Sequence, residues 1–451
     1  MKNLIQNIIL VITLTIIILC SYALVQDKIN SLNPSEIYLF LKNQLQTNHS
    51  KNDNQSTDLS DNPNTYKAVW LSYLEFNAYQ NSVSENNEEA FRDFFQRVLN
   101  RCKKIGLNHI IVHVRPFGDA LYESEYYPWA ACISGKQGKS PGYDPLKIMV
   151  EMAHKEGIKI EAWINPFRIS SGSSISELSD DNQAKLWSTS PETERNILTY
   201  ENALYYNPAS EQVRELICNG VQEIVNNYNV DGIHMDDYFY PTFTKETYTH
   251  VFDAVEYEKA KEEKRIADNT TIEDWRRENI NTLVSEIYKT VKTIDKNVTF
   301  GISPAGNLAN LRSNLEYYVD IDTWIKKEGY VDYIMPQIYW GFTNSQAPFD
   351  KTLDQWVKLT ANSDVRLYIG LQLYRMGTTD KEQTDYEELQ STDLITKELK
   401  QLQKETKVTG YCFFSYQYLD VDCKKYQFDS NEFSEPRKKI LKQITEDLMK
   451  K

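Results

Sequence analysis

The sequence predicts an α/β chain folded as a (β/α)8 barrel with enlarged strand-to-helix loops 2, 3 and 4. Three observations carry that prediction. From Lys67 onward eight short apolar stretches alternate with segments of helical pattern, and a last helical segment closes the series. Within several stretches one face is aliphatic and the other polar, as a strand with helices on one side and a barrel lumen on the other requires. Three of the segments that follow strands are long, and strand-to-helix segments all emerge on the face where such barrels keep their chemistry.

Taken in order, the chain starts with Lys2 and an apolar run, Leu4 to Val25, long enough to span a bilayer. A positive residue on its N-terminal side predicts that the remainder of the chain lies outside the cytoplasm. Ser21-Tyr22-Ala23 places small residues where a signal peptidase reads, so residues 1–25 are expected to be a membrane anchor or a signal peptide. Leu19 before Cys20 is larger than the residue that usually precedes a lipid-attachment cysteine. Residues 26–65, rich in Asn, Ser, Asp and Gln, are expected to be a flexible polar spacer with a short helix near Ser35 to Leu45.

The barrel is expected over residues 66–451. Its strands are predicted at Ala68–Phe76, Asn108–Pro116, Ile158–Pro166, Asp231–Phe239, Val298–Gly306, Val331–Trp340, Val365–Tyr374 and Gly410–Leu419. Helices are predicted at Glu88–Ile105, Pro145–Glu156, Ser210–Asn227, Trp275–Ile294, Leu353–Ala361, Leu394–Lys404 and Pro436–Met449. In the third strand Ile158, Ile160, Ala162 and Ile164 oppose Glu161, Trp163 and Asn165. In the second, Ile110, Val112 and Val114 oppose His109, His113 and Arg115. In the seventh, Leu367, Ile369, Leu371 and Leu373 oppose Tyr368, Gln372 and Tyr374. Polar groups repeated on a lumen face are costly unless they have partners, and their recurrence points to a site.

The fourth strand, VDGIHMDDYFYP over residues 230–241, is the centre of the chemistry. Ile233, Met235 and Asp237 share one face; His234, Asp236 and Tyr238 share the other. Asp236 therefore ends a buried strand on the lumen side. Helix capping or pairing with an arginine is the plain structural role for such an aspartate. The chemical role is glycosidic bond cleavage, which ordinarily uses two carboxyl groups. Asp236 is the first candidate and Asp237 its alternate. Strand 5 ends in GISPAGN and brings no acid, so the partner is sought elsewhere. Asp119 ranks first and Glu123 second, both in loop 2. Glu161 is expected to pair internally with Arg115 or His113, and Glu75 to sit at the tip of strand 1. His113, Arg115, Asn165, Arg168, His234, Ser303, Gln337, Tyr339, Gln372 and Ser415 are candidates to orient sugar hydroxyls. Trp129, Trp340, Tyr238 and Tyr374 are candidates to stack on sugar rings.

Composition excludes several classes. A net charge of −14 argues against a nucleic-acid partner, which needs clustered Lys and Arg. Neither a P-loop nor GxGxxG occurs, and no cofactor is expected. The six cysteines form no CxxC. A metal-dependent amidohydrolase or deacetylase would use His113, His234 and Asp236, but HxH and HExxH are both missing from the sequence. The 30 tyrosines and 8 tryptophans suit sugar platforms as well as a core.

The segments WLSYLEF, HVRPFGDALYESEYYPWA, GKQGKSPGYDPL, EAWINPFR, VDGIHMDDYFYP, FGISPAGN and VDYIMPQIYWGF, in this order, resemble the glycosyl-hydrolase-like family 10 proteins from about Tyr66 to about Leu419. The resemblance implies an exported bacterial (β/α)8 barrel acting on carbohydrate, with members that cleave peptidoglycan glycan strands lacking stem peptides. It maps the family's Asp-Asp pair onto Asp236 and Asp237. The expected function is thus an exported glycoside hydrolase of cell-envelope polysaccharide. A non-catalytic saccharide-binding barrel using the same groove is the alternative.

Overall fold

In the computed structural model, residues 65–450 are described apart from 314, 427 and 429–432, so the predicted N-terminal anchor and most of the spacer lie outside the described residues. Eight parallel strands alternate with eight helices. The strands are β1 (Tyr66–Leu71), β2 (His109–Arg115), β3 (Lys159–Ile164), β4 (Gly232–Met235), β5 (Thr299–Ile302), β6 (Tyr333–Ile334 and Gln337–Ile338), β7 (Arg366–Gln372) and β8 (Val408–Phe414). The intervening helices are α1 (Glu88–Lys104), α2 (Pro145–Lys155), α3 (Glu211–Asn227), α4 (Ile272–Ile294), α5 (Ile321–Lys326), α6 (Phe349–Thr360), α7 (Leu394–Leu402) and α8 (Glu435–Met449). Each strand pairs with the next, and β8 returns to β1 through Tyr66–Gly410 and its neighbours, closing the barrel.

Strand β6 is split because Pro336 has no N–H to give to the ladder. Its carbonyl still accepts from the Gly370 amide at 2.9 Å. Caps set several helix starts: Asn87 accepts from Ala90, Asp144 from Lys147 ahead of Pro145, Ser210 from Val213 and Thr271 from Asp274.

Side-chain parity is as predicted within the strands and fails at two tips. Asp237, expected on the face of Ile233 and Met235, turns to Gln337 and Tyr374 past the end of β4, and a register shift separates Arg115 from His113. Ile110, Val112, Val114, Ile160, Ala162, Ile233, Met235, Leu367 and Ile369 join the core between strands and helices. A second cluster fills the lumen with Tyr66, Trp70, Ile111, Trp163, Tyr333, Met335 and Tyr368. Aromatic rings occupy much of the lumen, where Val, Ile and Leu dominate in most such barrels.

Four expectations change. β1 stops at Leu71 rather than Phe76, because Ser72 and Glu75 form a capping box that starts a helix over Tyr73–Ser82. β8 stops at Phe414 and a 3₁₀ turn follows. The short helix α5 falls where no helix was predicted, capped by Asp320. Loop 3 holds a three-stranded antiparallel sheet of Arg168–Ser170, Ala203–Tyr206 and Ile197–Tyr200. Its hairpin turns at Glu201, whose φ is 50°.

Candidate active site

Asp236 and Asp237 lie directly past the end of β4, at the mouth of the barrel. Asp236 is 5% exposed, and its Oδ1 accepts from the Tyr238 amide at 3.0 Å. Burial raises its pKa well above the ordinary carboxylate range, and the neighbouring Asp237 charge raises it further. The Tyr238 amide, Arg168 and Trp163 pull the other way. Asp237 is also raised by burial, with Gln337 opposing. Two adjacent acids in one poorly solvated place favour sharing a proton. Both carboxyls are raised, and removal from water is the leading cause for each.

The walls around the pair come from several strand ends. His113 stacks face to face on Trp163, with ring centroids 3.6 Å apart, and both its ring nitrogens are buried without a hydrogen bond. Burial holds this imidazole neutral. Tyr73 packs edge-on against His113 and Phe117. Arg168, presented by the loop 3 sheet, lies over Phe117 at 5.0 Å and over Tyr238 at 4.9 Å. Its charge acts on both Asp236 and His113. At the ends of β1, β6, β7 and β8, Trp70, Tyr339, Tyr374 and Phe414 form a chain of ring contacts between 5.5 and 5.9 Å. Tyr339, Tyr374 and Tyr317 all feel the Asp237 charge. Tyr238 and Tyr374 are exposed at 54% and 37%, so aromatic faces are open to a ligand.

Buried polar atoms without partners gather at this end. Besides His113, they include Trp163 Nε1, Asn165 Oδ1, Ser303 Oγ and Trp340 Nε1. Trp163 Nε1 lies near enough to Asp236 to favour its ionised form without meeting strict hydrogen-bond geometry. Gln337 donates to the Ser303 carbonyl at 2.8 Å and stabilises ionised Asp237. Unmet donors and acceptors are costly in a dry interior, and a polyhydroxylated ligand would satisfy them.

Several candidates are placed elsewhere. His234 is fully buried in mid-barrel, not at the rim. Trp70 Nε1 donates to its Nε2 at 3.1 Å, which leaves the ring proton on Nδ1, 2.8 Å from the Tyr333 hydroxyl. Tyr333 and Tyr66 both donate to Glu161. Glu161 therefore pairs with two tyrosines, not with Arg115 or His113. With both its nitrogens engaged, His234 has none to offer a metal. Arg115 donates to the carbonyls of Asn165 and Pro166 and lies under Tyr127, so it braces the entry to loop 3.

Asp119 is buried in the seam between loops 2 and 3. Gln137 donates to it at 3.0 Å and itself accepts from the Ser179 amide and Asn182. Burial pushes Asp119 up to about 6. Asp237, not Asp119, is the carboxylate that raises Asp236. Glu123 is exposed and lines an outer groove with Asp144, Glu223 and Tyr228. Glu75 belongs to a helix and accepts from Ser72, Ser415 and the Gln417 amide, so it ties β1 to β8. Trp129 is half-buried within loop 2, bridged to Ala120. Gln372 accepts from Arg375, beside the buried Glu398. Sequence reasoning did not select Trp163, Tyr73, Phe117 and Tyr317 as lining residues. Only Trp163 carried a signal, its place on the polar face of β3.

Comparison with known proteins bears on the family and the fold. The sequence profile described as glycosyl hydrolase-like 10 matches residues 65–388. Glycosyl hydrolase YngK of Bacillus subtilis (strain 168) is 36% identical over 325 residues, 69% of this chain and 61% of that protein, so the match spans less than two thirds of that relative's length. Glycosyl hydrolase DigH of Escherichia coli (strain K12) is 32% identical over 337 residues, 71% of this chain and 75% of DigH. Two solved structures share the fold at low identity. The PgaB (BpsB) glycoside hydrolase domain from Bordetella bronchiseptica has a TM-score of 0.50 and 10% identity, covering 79% of this chain and 96% of that one. An endo-1,4-beta-mannanase from Rhizomucor miehei has a TM-score of 0.50 and 11% identity, covering 87% and 96%. The chain belongs to the glycosyl hydrolase-like 10 family.

Proposed function

We propose that this chain hydrolyses O-glycosyl bonds of a cell-envelope polysaccharide outside the cytoplasm, and that its substrate is the glycan strand of peptidoglycan. The observation that carries the hydrolase reading is the adjacent pair of carboxyls directly past β4 at the mouth of the barrel, Asp236 buried and Asp237 half-buried. A protonated carboxyl supplies the leaving oxygen with its proton, and the ionised partner stabilises the charge that develops on the sugar. Exposed Tyr238 and Tyr374 give sugar rings two platforms on the rim. The choice of glycan rests on the family resemblance, and the extracytoplasmic location on the apolar run Leu4 to Val25.

The test is incubation of the purified protein with intact peptidoglycan and with peptidoglycan stripped of its stem peptides, followed by mass analysis of the products. Shortened strands from the stripped material support the reading. Tight binding of strands with no new reducing ends would replace it with a saccharide-binding barrel that uses the same groove.

A further inference from the structure

We propose that the nucleophile in this site belongs to the substrate: the 2-acetamido group of the sugar whose bond is cut, oriented by Asp237 while Asp236 protonates the leaving oxygen. This deepens the hydrolase reading above and rests on it. In the common retaining arrangement an acid and a nucleophilic carboxylate flank the bond from opposite sides of the ring, about 5 Å apart. The mouth of this barrel offers a different layout. Asp236 and Asp237 are consecutive residues on one strand end, so both approach from the same wall.

Among the described residues, no carboxylate stands in the corresponding place on the other walls. The residues that directly follow the other seven strands are Ser72, Pro116, Asn165, Ser303, Tyr339, Leu373 and Ser415. The two carboxyls expected to help stand elsewhere, Asp119 bound by Gln137 and Glu123 exposed in an outer groove, and Glu75 is committed to Ser72, Ser415 and Gln417. Glu316 lies beside Tyr317 and raises the pKa of its hydroxyl.

The two aspartates are also placed differently. Asp236 lies towards Trp163, Arg168 and Tyr238, and burial favours its protonated form. Asp237 lies towards Gln337, Tyr317 and Tyr374. Tyr339 and Tyr374 both lie within reach of its charge, and their rings contact each other and Phe414. An ionised carboxylate facing an aromatic cluster matches an N-acetyl group, which has an N–H to donate and a methyl to bury.

The steps balance without a further reactant. The acetamido carbonyl oxygen forms a bond to C1 as the glycosidic C1–O bond breaks. The leaving oxygen takes the Asp236 proton, and the N–H hydrogen-bonded to Asp237 carries the positive charge of the cyclic oxazolinium. Water then gives a proton to Asp236 and adds to C1, the ring opens, and the sugar is released with its configuration retained.

The experiment uses the purified full chain and peptide-stripped glycan strands in four forms: untreated, de-N-acetylated, re-N-acetylated and N-trifluoroacetylated. A fluorinated amide is a poor nucleophile of nearly the same shape. The expected result is equal cleavage of untreated and re-acetylated strands. De-N-acetylated and trifluoroacetylated strands should be slower by on the order of 100-fold. The thiazoline analogue of 2-acetamido-glucose should inhibit competitively and lose affinity in Asp237→Asn. Equal cleavage of acetylated and trifluoroacetylated strands, with no thiazoline inhibition, would overturn the inference and leave the hydrolase reading standing. In that case loss of activity in Glu316→Gln would identify a protein nucleophile. Cleavage of none of the four forms would remove the hydrolase reading and this inference with it.

Discussion

Asp236 has two protein groups that favour its ionised form by direct approach, the Tyr238 amide and Trp163, and burial outweighs both. Replacing it with Asn keeps the shape and removes the acid. Asp236→Asn should lower kcat by roughly 10²–10⁴-fold with little change in KM. Thermal unfolding monitored alongside separates a chemical role from a structural one, since an equal loss of stability would assign Asp236 to the scaffold. The pH profile follows from the shared proton. Activity should fall on the alkaline side as the pair loses that proton, and the alkaline limb should vanish in the residual activity of Asp236→Asn. Glu161 shows the same desolvation used for structure. Burial pushes it up to about 7 although two tyrosines donate to it. Below the ordinary carboxyl pKa both folded and unfolded forms are protonated, and the group costs nothing. As pH rises the unfolded chain ionises first, so stability is lost between about pH 4.5 and 7, by on the order of 3 kcal/mol. Glu161→Gln should flatten the fall of Tm across that range. An unchanged slope would show that Glu161 is ionised in the folded barrel.

Among the elements, the long loops are fixed by buried polar contacts more than by regular structure. Loop 4 is pinned by Asp253, which accepts from Arg276 of α4 at 2.7 Å and from the Tyr240 hydroxyl at 2.8 Å. Both members of the ion pair are fully buried, and the guanidinium lies over Phe243 at 4.5 Å. Burial raises Asp253 despite the arginine, so the pair is not itself a large source of stability. Removing one partner is different, because it strands the other charge. Asp253→Ala should cost about 3–5 kcal/mol in denaturant unfolding, with early proteolysis of loop 4. A loss under about 1 kcal/mol would mean that water reaches Arg276. The approach of β5 to β6 is a second constraint. A Cβ at Gly301 would run into the Tyr333 ring and disturb the hydrogen bond that Tyr333 accepts from His234 and the one it donates to Glu161. Gly301→Ala should destabilise the barrel by about 1–3 kcal/mol, read as a lower unfolding midpoint.

For the whole molecule, closure of the barrel brings both ends of the described chain to one seam. β1 pairs with β8, and Asp420 after β8 accepts from Arg97 and Arg101 of α1. No described helix is long and apolar enough to cross a membrane. The apolar run Leu4 to Val25, outside the described residues, carries the export proposal. Protease added to intact protoplasts should therefore digest the barrel, and protection of the full-length chain would reverse the topology.

The sequence by itself determined the eight-fold alternation, the face on which most strand side chains lie, and the place of Asp236 at the end of β4. These follow from short-range periods of 2 and 3.6 residues, which any stretch displays without knowing its neighbours. Even the Trp163 position could be read this way. The partners could not. Glu161 meets Tyr66, 95 residues away, and Tyr333, 172 away, because closure puts three strands around one lumen. Asp119 was near the rim in sequence but is drawn into the seam by Gln137 once loop 2 folds on loop 3. Arg168 comes to Asp236 through a small sheet whose strands, three and four residues long, are too short for a period to show. Tertiary structure also decided which carboxyls keep a proton, since that depends on how far each is removed from water, and burial is a property of the closed barrel rather than of any stretch of its chain.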